Sequence, residues 1–327
     1  MLQPRNHRVL SCLAALIAAL ALAGNRASAQ TEVKGQRVYF SGHSFHVFMP
    51  GILADIAKKA GVEDHTQVGL SPIGGSRVIQ HWNVPNDKFK SKEALKSGKV
   101  DVFTMSPIHL PDEGIENFVK LAVENNPKIR IYVQENWLPF DIYDTTFKVR
   151  PETVDHNAPT ADSLRKLHAP YFKDMDAHIK DLNAKYKTDA VRIAPIGQAV
   201  IALREKIIAG QAPGLKEQND LFTDPIGHAR PPLQALVGYC YYGLIYQKSP
   251  VGLPMPAVLT KANLPEGEKL NRLLQELAWQ AVTQHPLSGV KAAKRQPTDH
   301  GGQIRLGTIT VRASFNIASA TAAPCNG

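Results

Sequence analysis

From residue 37 onward, short apolar runs alternate with stretches whose apolar residues recur at helical spacing. Arg37-Val-Tyr-Phe-Ser41, Gln67-Val-Gly-Leu-Ser71, Val100-Asp-Val-Phe-Thr-Met105, Lys128-Ile-Arg-Ile-Tyr-Val133 and Val191-Arg-Ile-Ala-Pro195 have the length of buried strands. Between them, Ile52, Leu53, Ile56, Ala57 and Ala60 mark one helical face, with Gly61 as its stop. Ile115, Phe118, Val119, Ala122 and Val123 mark a second, ended before Pro127. Val200, Leu203, Ile207 and Ile208 mark a third, stopped by Gly210. An apolar helix spans Leu233 to Tyr246, and a last one carries Leu270, Leu273, Leu274, Leu277, Ala278, Ala281 and Val282. Strands separated by helices require crossover connections. The expected fold is therefore α/β: three layers, α/β/α, around a central, mostly parallel five-stranded sheet.

Three segments stand outside this alternation. Arg5, His7 and Arg8 precede an apolar run from Val9 to Gly24, and Ala27-Ser28-Ala29 is a small-x-small cleavage signature. Residues 1–29 thus read as a secretory signal peptide, too short in its apolar part for a span of ~20 residues. The expectation is a secreted or periplasmic protein with no membrane segment after cleavage. Residues 139–189 form an insertion between the fourth and fifth strands. Its second half has helical spacing from Leu164 to Tyr186, a kink expected at Pro170, and a place as a flank of the domain. Residues 292–327 lack helical periodicity and read as a C-terminal tail, with an edge strand expected at 304–309. Residues 30–291 remain as one domain.

Composition changes the picture in two places. Lys and Arg total 38 against 29 Asp and Glu, a net charge of +9. Three of those Arg lie in the leader, which leaves +6, dispersed among acids. No basic stripe interleaved with aromatics follows, so nucleic acid is not an expected partner. Three Cys cannot staple a chain of 327 residues. Cys240 and Cys325 either bridge the tail to the body or stay as a buried thiol and a loose one.

Candidate chemistry lies at strand ends, where open α/β sheets bind ligands. The first strand ends in Ser41-Gly-His-Ser-Phe45, which sets Ser44 before a helix as a nucleophile or as a cap. The second ends in Ile73-Gly-Gly-Ser-Arg77, where glycines let a backbone N–H approach a substrate oxygen or make a tight turn. The third place is Asp224-Pro-Ile-Gly-His228: a serine nucleophile needs a base, and the base an acid.

Together these three places resemble the SGNH (GDSL-like) hydrolases over most of the mature chain. The resemblance implies a flavodoxin-like sheet and no cofactor. Gly42-His43-Ser44 matches the first block and makes Ser44 the nucleophile; Gly75, or Gly74, matches the oxyanion glycine; Asp224 and His228 match the last block. It implies an exported serine esterase acting on a small-molecule or glycan ester, with backbone N–H groups of Ser44 and Gly75 holding the oxyanion. The chain departs from the pattern twice. Three residues separate Asp224 from His228 where the family has two, and Gly227 is placed to absorb the extra one. The Asn expected after the third strand is missing from Met105-Ser-Pro-Ile-His-Leu110; Ser106 or His109 would have to donate instead. A weakened or non-catalytic carbohydrate-binding protein on the same fold is the alternative. His43, His81, Trp82 and Trp137 are expected to line the pocket. His43-x-x-His46 lies on a turn, without helical register or accompanying acids, so no metal site is expected there. Asp299 and His300 form a second acid–histidine pair, in the tail.

Overall fold

The computed structural model describes residues 33–146 and 148–291. The leader, the tail with its expected strand, the Asp299/His300 pair and Cys325 lie outside the described residues. Five strands form one sheet: β1 (Arg37–Gly42), β2 (Thr66–Pro72), β3 (Val102–Met105), β4 (Arg130–Gln134) and β5 (Val191–Ala194). All pairings are parallel, in the order β2-β1-β3-β4-β5. This is the flavodoxin-like order, whose switch point lies between β1 and β3.

Nine helices of the described residues complete the layers: α1 (Met49–Lys59), α2 (Val78–Asn83), α3 (Ser91–Lys96), α4 (Glu113–Asn125), α5 (Ala161–Tyr186), α6 (Ile196–Ile208), α7 (Pro231–Tyr246), α8 (Ala257–Ala262) and α9 (Gly267–Gln284). Strands β1, β3, β4 and β5 are buried on both faces, as a parallel sheet demands, while the edge strand β2 is exposed over Thr66, Gln67 and Val68. Val38, Phe40, Val102, Tyr132 and Ala194 point to one face and pack with α1, α6, α7 and α9. Their neighbours Tyr39, Phe103, Met105, Ile131, Val133 and Ile193 point to the other and pack with α4 and α5. The period of two along each strand sorts the side chains. Helix α7 is apolar on every side and lies among α1, α6 and α9. Cys240 is buried within it, and burial pushes its thiol pKa up. Among the described residues no helix is long and apolar enough to cross a membrane.

The segment between β4 and β5 is no appendage. Helix α5 runs unbroken through Pro170, capped by Thr160, whose hydroxyl accepts from the Ser163 N–H at 3.2 Å. Tyr171, Met175, Ile179 and Leu182 seat it on the sheet. It is the crossover helix of the β4–β5 unit, formed where the spacing from Leu164 to Tyr186 places a helix.

Asp112 fixes two helix starts at once. Its buried carboxylate accepts N–H bonds from Val78 (2.6 Å) and Ile79 (2.8 Å) in α2 and from Gly114 (3.1 Å) in α4. Helix N-termini leave such donors orphaned. The bonds anchor α2 just after the Gly74-Gly75 turn.

Candidate active site

The carboxyl ends of β1, β2 and β4 and the loop before α7 surround a cavity of about 410 Å³. Phe45, Ile108, Pro139, Phe140 and Ile226 give it apolar walls; Ser44, Gly74, Gly75, Asn136, Arg150, His43 and His228 supply its polar groups. It opens beside the switch point. At that point Gly42 is required by space, because a Cβ there would lie 2.9 Å from the Ser106 Cβ and about 3 Å from the His46 ring.

Ser44, His228 and Asp224, 184 residues apart at their extremes, meet in one hydrogen-bonded run. The Ser44 Oγ lies 2.7 Å from His228 Nε2, and His228 Nδ1 lies 2.5 Å from Asp224 Oδ2. The second carboxylate oxygen accepts the backbone N–H groups of Gly227 (3.1 Å) and His228 (3.2 Å). Burial works to raise the Asp224 pKa, but the bonds from the His228 ring and backbone outweigh it and hold the carboxyl below its usual value. Gly227 takes φ +93°, a conformation that closes the three-residue spacer between acid and histidine.

The loop carrying this pair is clamped. The Trp137 indole N–H donates to the Gly227 carbonyl at 2.9 Å, and the Phe140 N–H donates to Ile226 at 3.1 Å. His156 Nε2 faces the Asp224 carbonyl at 3.2 Å, and its Nδ1 faces Asp141 Oδ2 at 2.8 Å. Arg204 closes a fork on Asp141 at 2.5 and 2.9 Å. Phe140 and Asp141 both hold left-handed backbone, φ +59° and +53°, and Phe140 turns into the cavity wall.

Asn136, just beyond β4, was absent from the sequence expectations. Its Oδ1 accepts from Gln134 Nε2 (2.5 Å) and Ser106 Oγ (3.3 Å), and its Nδ2 donates to the Pro107 carbonyl (2.7 Å). These partners fix which end of the amide is which. They use one of the two Nδ2 hydrogens, and Asn136 lines the cavity. The sequence offers one signal, the neighbouring Trp137; the family pattern expects an Asn after the third strand, and here one lies after the adjacent fourth.

The other expected residues divide. His43 lines the cavity; burial first, then the nearby His46, push its pKa down to about 3, so the ring stays neutral. Its Nδ1 accepts from the Phe45 N–H, which leaves Nε2 to donate to Ser106 Oγ at 3.1 Å. Ser106 is buried behind Asn136 and does not line the cavity. His109 lies in a separate small crevice beside Leu138 and Tyr143. Trp137 backs the wall, stacked on Phe45 at 4.3 Å between ring centres. His81 and Trp82 do not line the cavity. Helix α2 turns His81 onto Ser76 Oγ (2.6 Å) and Phe89, and Trp82 edge-on to Phe118. His46 bonds Gln134 (2.9 Å) and Thr104 (2.8 Å).

No protein-family model matches the chain, and no curated protein matches its sequence. Among solved structures it is similar to a DUF4886 family protein from Bacteroides uniformis, at 13% identity and a TM-score of 0.46, covering 76% of this chain and 95% of that one. It is also similar to an extracellular lipase from Streptomyces rimosus, at 10% identity and a TM-score of 0.29, covering 52% and 84%. Likenesses this distant assign no function to a residue.

Proposed function

We propose that this chain is an exported serine hydrolase of the SGNH type that cleaves carboxylic esters by acyl transfer. The observation that carries the reading is the run Asp224–His228–Ser44, which ends on a hydroxyl lining an apolar cavity. His228 Nε2 takes the Ser44 proton as Oγ attacks the ester carbonyl, and Asp224 holds the ring and stabilises the imidazolium. The oxyanion is held by the backbone N–H groups of Ser44 and Gly75, with the second Nδ2 hydrogen of Asn136 as the side-chain donor. His228 then returns the proton to the leaving alcohol, and water releases the acid by the reverse steps. Phe45, Ile108, Phe140 and Ile226 favour an apolar acyl group; an acylated carbohydrate is the substrate class suggested by export.

The test is p-nitrophenyl acetate hydrolysis together with fluorophosphonate labelling. Wild type is expected to turn over and to be labelled at Ser44. Ser44→Ala is expected to lose labelling and at least ~10³-fold in kcat with its fold intact by circular dichroism. Turnover that survives undiminished in Ser44→Ala would overturn Ser44 as the nucleophile, and a wild type that neither reacts nor labels would leave the non-catalytic binding protein as the better reading.

A further inference from the structure

Outside the cavity, the fold gathers Glu135, Asp176 and His285 from three distant parts of the chain. Glu135 follows β4 directly, Asp176 lies midway along α5, and His285 follows α9. Their ligand atoms all fall within 4.8 Å of one another. His285 Nε2 is 3.4 Å from Asp176 Oδ1 and 3.7 Å from Glu135 Oε2.

The cluster is short of donors. The Glu135 side chain is wholly buried, yet its Oε1 has no hydrogen-bond partner. Asp176 Oδ1 is buried without one as well. Gln198, in the first turn of α6, donates to Glu135 Oε2, and its own Oε1 is buried and unpartnered. Buried oxygens in native proteins are almost always satisfied, and a group of exceptions calls for an absent ion or water. A proton on Glu135 would supply a single donor among these oxygens. A cation would serve them together.

We propose that Glu135, Asp176 and His285 form a divalent transition-metal site, best matched to Zn²⁺, with Gln198 Oε1 or a water as fourth ligand. A tetrahedral ion with bonds of about 2.0–2.1 Å sets its ligand atoms about 3.4 Å apart. The 3.4 and 3.7 Å separations sit close to that edge and make no hydrogen bond. One imidazole with two carboxylates and no thiolate suits a borderline cation better than a soft one. Ligation through Nε2 moves the His285 proton to Nδ1, where it would face the Leu287 N–H at 3.2 Å, so the ring or the Leu287 amide must turn as the three metal–ligand bonds form. The ion would tie the end of β4 to α5 and to the end of α9, and so steady the backbone that leads into Asn136 and Trp137.

The experiment is independent of any esterase activity. The full chain is stripped with chelator and titrated with Zn²⁺ by calorimetry, with metal content measured by elemental analysis. One Zn²⁺ per chain is expected, with Kd at or below ~1 μM and a raised Tm. Co²⁺ is expected to give the visible bands of a four-coordinate ion. His285→Ala and the near-isosteric Glu135→Gln are each expected to weaken Zn²⁺ binding about 100-fold or more. Absence of stoichiometric binding overturns the proposal. So does binding that both variants retain, which would place the ion elsewhere, and so does a preference for Ca²⁺ or Mg²⁺ over Zn²⁺.

Discussion

Two aspartate–histidine pairs lie side by side in this molecule and differ in what surrounds them. Asp224 and His228 are about one-third exposed, and the outer histidine nitrogen faces the Ser44 hydroxyl. Asp141 and His156 are almost fully buried, and every outward position is taken: Arg204 forks onto the carboxylate, and His156 Nε2 faces the Asp224 carbonyl. The residue types are the same. A pair that ends on a hydroxyl at a cavity is equipped to move a proton. A pair that ends on a guanidinium and a backbone oxygen is equipped to hold a shape. The shape includes two consecutive left-handed residues, Phe140 and Asp141, whose backbone costs of order 1 kcal/mol or more each and persists only where surrounding contacts hold it. The buried pair therefore sets the cavity wall and braces the loop of the exposed one.

The contrast breaks most visibly at the exposed pair. Asp224→Asn is expected to lower kcat about 10⁴-fold, because the amide favours the wrong imidazole tautomer. Its Tm should stay within a few degrees of wild type, since a pair this exposed adds little stability. Steady-state kinetics and differential scanning calorimetry on one preparation measure both. The converse is expected of Arg204→Met, which strands the buried Asp141 carboxylate. It should lose ~3–5 kcal/mol of unfolding free energy, roughly 5–10 °C in Tm for a domain of this size, while fluorophosphonate still labels Ser44 in the fraction that stays folded. An Arg204→Met protein of wild-type stability would show that the two pairs are not divided in this way.

A smaller effect sharpens the same contrast. Burial works to raise the Asp141 pKa, but the bonds from His156 and Arg204 outweigh it and hold the carboxyl below its ordinary value near 3.8. A carboxyl lowered on folding contributes stability that is present above its unfolded value and is lost as pH falls through the folded one. Below about pH 4, Asp141→Asn should therefore flatten the acid limb of a urea-denaturation series. Asp224→Asn, lowered in the same direction but exposed, should flatten it less.

The legible parts of the fold were those that repeat within a short window. All five apolar runs became the strands, and the long amphipathic faces became α1, α4, α6 and α9. Ser44, Gly75, Asp224 and His228 stood out because each belongs to a compact motif at an element's end. What stayed hidden depends on side-chain direction or on distant partners. His81 and Trp82 are next to a glycine turn in sequence, yet α2 rotates both into packing. Asp141, His156 and Arg204 belong to three segments, and on an amphipathic helix Arg204 reads as one more surface charge. Glu135, Asp176 and His285 share no spacing at all. Helices α2, α3 and α8 have six residues each, too few for a period of 3.6 to show.

The carboxylate of Asp112 has a practical meaning for anyone who would transplant this scaffold's parts. The turn at Gly74-Gly75 leads into α2, yet the first N–H groups of α2 are answered by a residue 33 and 34 positions downstream. A graft that replaces the connection after β2 with one from another protein would leave Asp112 facing strange donors, or none. The connections after β2 and after β3 are therefore one exchangeable module, and loop libraries built on this chain should cut outside both.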